Sequence, residues 1–251
     1  MKALLLVGHG TRDDVGNDEF VTLTERVTAR LDTRGGELRV SRCFLELRAP
    51  WIVECAQAYL DAGCRKLYLS MFFLFAAGHV KHDIPSSLHP LVTRYGDASF
   101  YIGPPAGNAE GILQAAISRV QDAVREHPAH SDATVLLVVR GSSDQAAWAD
   151  VLQVARALSD RLSRPVLPCA VVGVGLRFKD ALCFARKAII VLPYLLFTGN
   201  VLREIHELCI AVQREGRMLT CTSPLGGHPF VEDYFYQQAT YHANFVKYAI
   251  E

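Results

Sequence analysis

Apolar residues in this chain keep two rhythms, short unbroken runs and longer stretches at helical spacing, and the two alternate from one end to the other. Runs such as Leu4-Leu5-Leu6-Val7 and Val135-Leu136-Leu137-Val138-Val139 are too continuous for strands with one wet face. They read as central strands of a parallel sheet covered on both sides. The pattern predicts strands at 2–8, 38–45, 66–73 and 98–102, then near 134–139, 165–172, 187–194 and 217–222. Helices are predicted at 18–33, 50–62, 83–94 and 107–126, then at 144–163, 176–186, 199–214 and 229–248. Strand and helix in alternation define an α/β chain with parallel sheets flanked by helices.

The second half repeats the first. Gly8-His9-Gly10-Thr11-Arg12-Asp13 returns as Val139-Arg140-Gly141-Ser142-Ser143-Asp144, and Phe75-Ala76-Ala77-Gly78-His79-Val80 returns as Leu196-Phe197-Thr198-Gly199-Asn200-Val201. A third pair matches Pro104-Pro105-Ala106-Gly107-Asn108 with Pro224-Leu225-Gly226-Gly227-His228. The period of about 120 residues is too long for a solenoid and fits two fused lobes. We therefore divide the chain into a first lobe at 1–126, a linker at 127–133 and a degenerate second lobe at 134–251. The linker reading rests on the polar, proline-containing stretch Glu126 to Asp132, whose His127 and His130 are expected to be solvated. Both motif histidines of the first copy are lost in the second, which makes the first lobe the active one.

Composition narrows the chemistry. In 251 residues, 26 Lys and Arg balance 26 Asp and Glu, so no global field recruits nucleic acid or an anionic membrane. The longest apolar runs fall short of the roughly 20 residues of a membrane-spanning helix. Met1 to Gly8 flows into the first motif without a cleavage site, so it is expected to be a strand and not a signal peptide. Seven cysteines are scattered without C-x-x-C spacing, which indicates neither a disulfide framework nor a thiolate metal cage. Buried thiols in a cytoplasmic protein are the expectation.

In open parallel sheets ligands bind beyond the carboxyl ends of the strands. His9, Glu46 and His79 follow the first, second and third predicted strands and so share that edge. Two imidazoles and a carboxylate suit a borderline divalent metal such as cobalt, nickel, iron or zinc. Gly8, Gly10 and Gly78 permit close approach to the histidines, although a lone histidine there is more often structural. Glu46 has a competing reading as an ion-pair partner of Arg48. Asp83-Ile84-Pro85 reads as a helix cap followed by a first-turn proline, leaving His82 in the preceding loop. His228 either reaches the ligand or holds a turn before Pro229. Neither His89 nor His206 has a convergent partner.

His9-Gly10-Thr11-Arg12-Asp13, Phe44-Leu45-Glu46 and the block from Leu74 through Gly78-His79-Val80-Lys81-His82-Asp83-Ile84-Pro85 resemble the class II tetrapyrrole chelatases of the CbiX/SirB type over nearly the whole chain. The resemblance implies a two-lobed enzyme with a cleft between the lobes that inserts a divalent metal into sirohydrochlorin. It implies that His9 and His79 hold the metal and accept pyrrole protons, with Glu46 as ligand or proton acceptor. The metal is then a substrate, with no prosthetic group expected. Cobalt is favoured because the long form resembles cobaltochelatases, and iron is second. A polyanionic macrocycle calls for local cations, for which Arg12, Arg48, Lys81, Arg140 and Arg203 are candidates beside Gly10, Gly78, His82 and His228. The partners implied are sirohydrochlorin and the metal, with no nucleic acid or membrane; oligomeric state is not legible.

Two other readings stay open. A non-catalytic tetrapyrrole or metal carrier would use the same residues. A histidine phosphatase would need an arginine before the nucleophilic histidine, where this chain has Gly8.

Overall fold

A computed structural model describes all residues except 33–37, 76–77, 185–187, 243 and 249–251, and the backbone alone for 32, 78–82 and 184. Within it the chain forms two α/β units, each with its own sheet and core. The first comprises Met1–Ala106 and Glu232–Glu251, the second Gly107–Val231.

In the first unit, β1 (Lys2–Gly8), β2 (Leu38–Phe44), β3 (Lys66–Met71) and β4 (Ser99–Ile102) lie parallel in the order β2-β1-β3-β4. Residues 3–8 of β1 are all buried, as expected for a strand covered on both faces. On one face α2 (Ile52–Asp61) and α3 (Gly78–Arg94) pack Ile52, Ala56, Leu60, Ile84, Leu88 and Leu91 onto Leu5, Val7 and Leu69. On the other, α1 (Asp14–Asp32) buries Phe20, Leu23 and Val27. Because α1 and α3 leave on opposite faces, β1 and β3 flank a topological switch point.

The second unit repeats this order. Its strands β5 (Thr134–Val139), β6 (Val166–Ala170), β7 (Ile189–Pro193) and β8 (Leu219–Cys221) run parallel as β6-β5-β7-β8. One core joins α6 (Phe178–Phe184) and α7 (Asn200–Arg214) to the sheet through Phe178, Leu182, Ile205 and Cys209. The other face carries α5 (Gln145–Leu162), with Val151, Val154 and Leu158 buried.

Division by packing differs from division by repeat. The helix closing the first copy, α4 (Glu110–Glu126), belongs to the second unit, where Glu110 forms a bidentate pair with Arg161 of α5. The helix closing the second copy, α8 (Pro229–Tyr241), belongs to the first unit beyond its opening turn. Glu232 of α8 accepts from Arg26 and Arg30 of α1 at 2.8 and 2.9 Å. Gln238 accepts from the buried Ser70 hydroxyl at 2.5 Å, and Phe235 stacks on Phe72 with centroids 3.8 Å apart.

Three local expectations are corrected. The predicted helix 229–248 stops at Tyr241, and Val246–Tyr248 forms an antiparallel edge strand, β9, on β4. His242 and Asn244, with φ of +48° and +66°, turn the chain out of the helix. Next, α3 starts at Gly78, so Asp83 is no cap and Pro85 lies inside the helix. Its ring forfeits one helical hydrogen bond, and burial of Ile84, Leu88 and Leu91 holds the helix through it. Finally, the predicted linker contains a 3-10 turn at Pro128–His130 in which His130 is only 5% exposed. Burial and the neighbouring His127 lower its pKa.

Candidate functional site

The loop leaving β1 is fixed before any ligand arrives. Asp13 caps α1 by accepting from the Val15 amide at 3.0 Å, and its own amide donates to the Thr11 hydroxyl at 3.1 Å. Asn17 clasps Thr11 twice, accepting from its amide at 3.1 Å and donating to its carbonyl at 2.8 Å. Gly10 has φ of +89°, and a Cβ there would collide with the Glu46 carbonyl. Only glycine admits this approach.

That approach continues the sheet past its end. Leu45 and Glu46 donate from their amides to the carbonyls of Gly8 and His9 at 2.9 and 3.0 Å. The side chains meet as a result: His9 Nδ1 lies 3.4 Å from Glu46 Oε1 and 3.1 Å from the Gly10 carbonyl. Both remain accessible, at 31% and 47%. Phe73, buried at the end of β3, backs the imidazole edge-on with centroids 6.0 Å apart. His79 lies in the first turn of α3, the other strand end of the switch point; its side chain, and those of Lys81 and His82, lie outside the described residues, as do the surroundings of Gly78. Among the described residues no three His, Cys, Asp or Glu side chains gather around one metal position.

The cations divide. Arg48 does not pair with Glu46; it holds Asp14 at 2.7 Å. Arg12, Arg140 and Arg203 are exposed. His228 caps α8: its Nδ1 accepts from the Phe230 amide at 3.3 Å, the turn-holding role expected as its alternative. Burial and then the Arg119 guanidinium lower its pKa, with Asp122 opposing. Sequence reasoning passed over Phe73, hidden in an apolar run, and Asp14, whose partner lies 34 positions away.

The second unit reproduces the frame without the chemistry. Gly141 has φ of +91°, and Val171 and Val172 donate to the carbonyls of Val139 and Arg140 at 3.0 and 2.9 Å. Asp144 caps α5 through the Ala146 amide at 2.8 Å. Arg140 and Val172 thus occupy the positions of His9 and Glu46, and no imidazole–carboxylate pair forms there.

Fold and site together define a class, the duplicated, doubly wound α/β proteins with an imidazole and a carboxylate at the carboxyl ends of adjacent strands of the first sheet. The CbiX family model matches residues 3–123 and 134–241. The chain belongs to the CbiX family. It is 33% identical over 233 residues to a sirohydrochlorin ferrochelatase of Priestia megaterium, covering 91% of this chain and 85% of that protein. It is 29% identical over 249 residues to a sirohydrochlorin cobaltochelatase of the same organism, covering 95% and 79%. The fold matches the crystal structure of the sirohydrochlorin chelatase SirB from Bacillus subtilis subspecies spizizenii in complex with cobalt, with TM-score 0.82 and 27% identity over 97% and 98% of the two chains.

Proposed function

We propose that this protein is a sirohydrochlorin chelatase, inserting a divalent metal into the tetrapyrrole with release of two protons. Family membership gives the reaction class, and the His9–Glu46 pair at the end of β1 carries the assignment to residues. Insertion requires a ligand that holds the metal without trapping it and a base for the pyrrole N–H groups. A neutral imidazole has one free nitrogen lone pair for the metal. Glu46, within reach of the same ring, takes a pyrrole proton, and His79 from the facing strand end is the second imidazole. Arg12, exposed in the loop that follows His9, is assigned to a carboxylate of the macrocycle.

Cobalt and iron are the metals of this reading, and imidazole with carboxylate serves either. The ferrochelatase and cobaltochelatase relatives are similar over comparable lengths, so the ligand types and the comparisons rank neither. No helix among the described residues is long and apolar enough to cross a membrane. A cytoplasmic setting is supported by seven free thiols.

The test is anaerobic turnover with excess metal-free sirohydrochlorin and Co2+ or Fe2+. Repeated conversion supports an enzyme, whereas conversion that stops at one equivalent indicates a carrier and overturns the proposal.

A further inference from the structure

The turn after β2 holds a residue that its own repeat marks as unusual. Leu47, directly after Glu46, has φ of +67°. An L side chain is disfavoured there because Cβ crowds the backbone carbonyl. At the matching position of the second unit, directly after Val172, the chain has Gly173 with φ of +82°. One copy of the turn uses the residue this conformation favours, and the other uses leucine. At Gly173 a side chain would run into the backbone of Ser142.

Packing does not account for the choice. Leu47 is 48% exposed, so much of the side chain makes no contact that would offset the strained backbone. Residues held in such conformations cluster at ligand sites. Leu47 directly follows Glu46, whose amide bonds the His9 carbonyl at 3.0 Å, and its Cβ lies 3.7 Å from where a Cβ on Gly10 would stand. An apolar group is thus fixed beside the proposed metal ligand and base.

We propose that Leu47 is a substrate-contact residue, its side chain held at the rim of the His9–Glu46 pair to meet the flat apolar face of the tetrapyrrole. The inference rests on the chelatase reading for the identity of the ligand. The ring periphery is anionic and suits arginines, but the ring plane needs apolar surface. Leu47 supplies it where the macrocycle must lie for its nitrogens to face His9.

Leu47→Gly and Leu47→Asn keep the turn conformation and remove the apolar group, whereas Leu47→Met keeps the apolar group. Both of the first two are expected to bind metal-free sirohydrochlorin about tenfold more weakly in a fluorescence titration. Their KM should rise in parallel while kcat stays within about twofold of wild type. Their Tm should be no lower than wild type, because glycine and asparagine accept positive φ. Leu47→Met should bind as wild type. Wild-type affinity in the glycine and asparagine variants, or affinity lost only together with Tm, overturns the inference. A wild-type protein that binds sirohydrochlorin without turnover defeats the chelatase reading instead, and the titration still decides Leu47.

Discussion

Nδ1 of His9 lies 3.4 Å from Oε1 of Glu46, and the peptide units of the same two residues are joined by a 3.0 Å hydrogen bond from the Glu46 amide to the His9 carbonyl. One ladder contact beyond the end of the sheet therefore sets a side-chain distance that chemistry can use. Changing the carboxylate should spare the frame. In Glu46→Gln the backbone bond persists while the proton acceptor is lost, so insertion should fall about 10²- to 10⁴-fold. Sirohydrochlorin binding and Tm should stay close to wild type. Steady-state insertion rates beside a binding titration check this, and a near-wild-type rate would remove Glu46 from the mechanism.

Gly10 and Gly141 make the same close approach in the two units, with φ of +89° and +91° and no space for a Cβ against Glu46 and Val172 respectively. Alanine at either position forces the turn open and should lower stability by about 1–3 kcal/mol, the cost of strain at a positive φ with a backbone collision, and Tm with it. Only Gly10→Ala also moves Glu46 away from His9. Its insertion rate should drop well beyond that of Gly141→Ala at matched folded fraction. Equal losses in the two variants would show that the His9 loop has no special role.

Stability should depend on pH through histidines that folding keeps neutral. Burial and the Arg119 charge lower the pKa of His228 from 6.5, and burial likewise lowers His130 and His242. As pH falls below 6.5 the unfolded chain binds protons that the folded chain resists, so stability is complete above that pH and declines below it. For His228 the lost interaction is specific, since a protonated Nδ1 no longer accepts from the Phe230 amide. Tm should fall between pH 7.5 and 5.5. His228→Asn, which caps without titrating, should fall less steeply. Identical slopes would exclude the cap as a contributor.

Most of the fold was legible because its central strands are buried on both faces and leave unbroken apolar runs. Each of the eight predicted parallel strands appears, with ends shifted by a few residues. His9 and Glu46 were legible because strand ends in such sheets converge, and Gly10 marked the close approach. The start of α3 was misplaced because Pro85 reads locally as a helix beginning, while buried Ile84, Leu88 and Leu91 hold the helix from Gly78. β9 was missed because three residues on an edge give too short a pattern, though Asn244 was a readable stop. The exchange of α4 and α8 between cores was invisible for a different reason. An amphipathic helix declares that it needs an apolar partner without declaring which one.

That exchange sets an order on the making of the first unit. Strands β1 to β4 emerge first, but the helix that covers Phe72 and bonds Ser70, and the strand that closes the edge of β4, belong to residues 232–251. A ribosome must therefore add residues 232–248 before the unit bearing His9 and Glu46 has its full core. A nascent chain broken off before them would leave that unit uncovered and open to proteolysis, although the ladder contact that joins His9 to Glu46 lies within its first 46 residues.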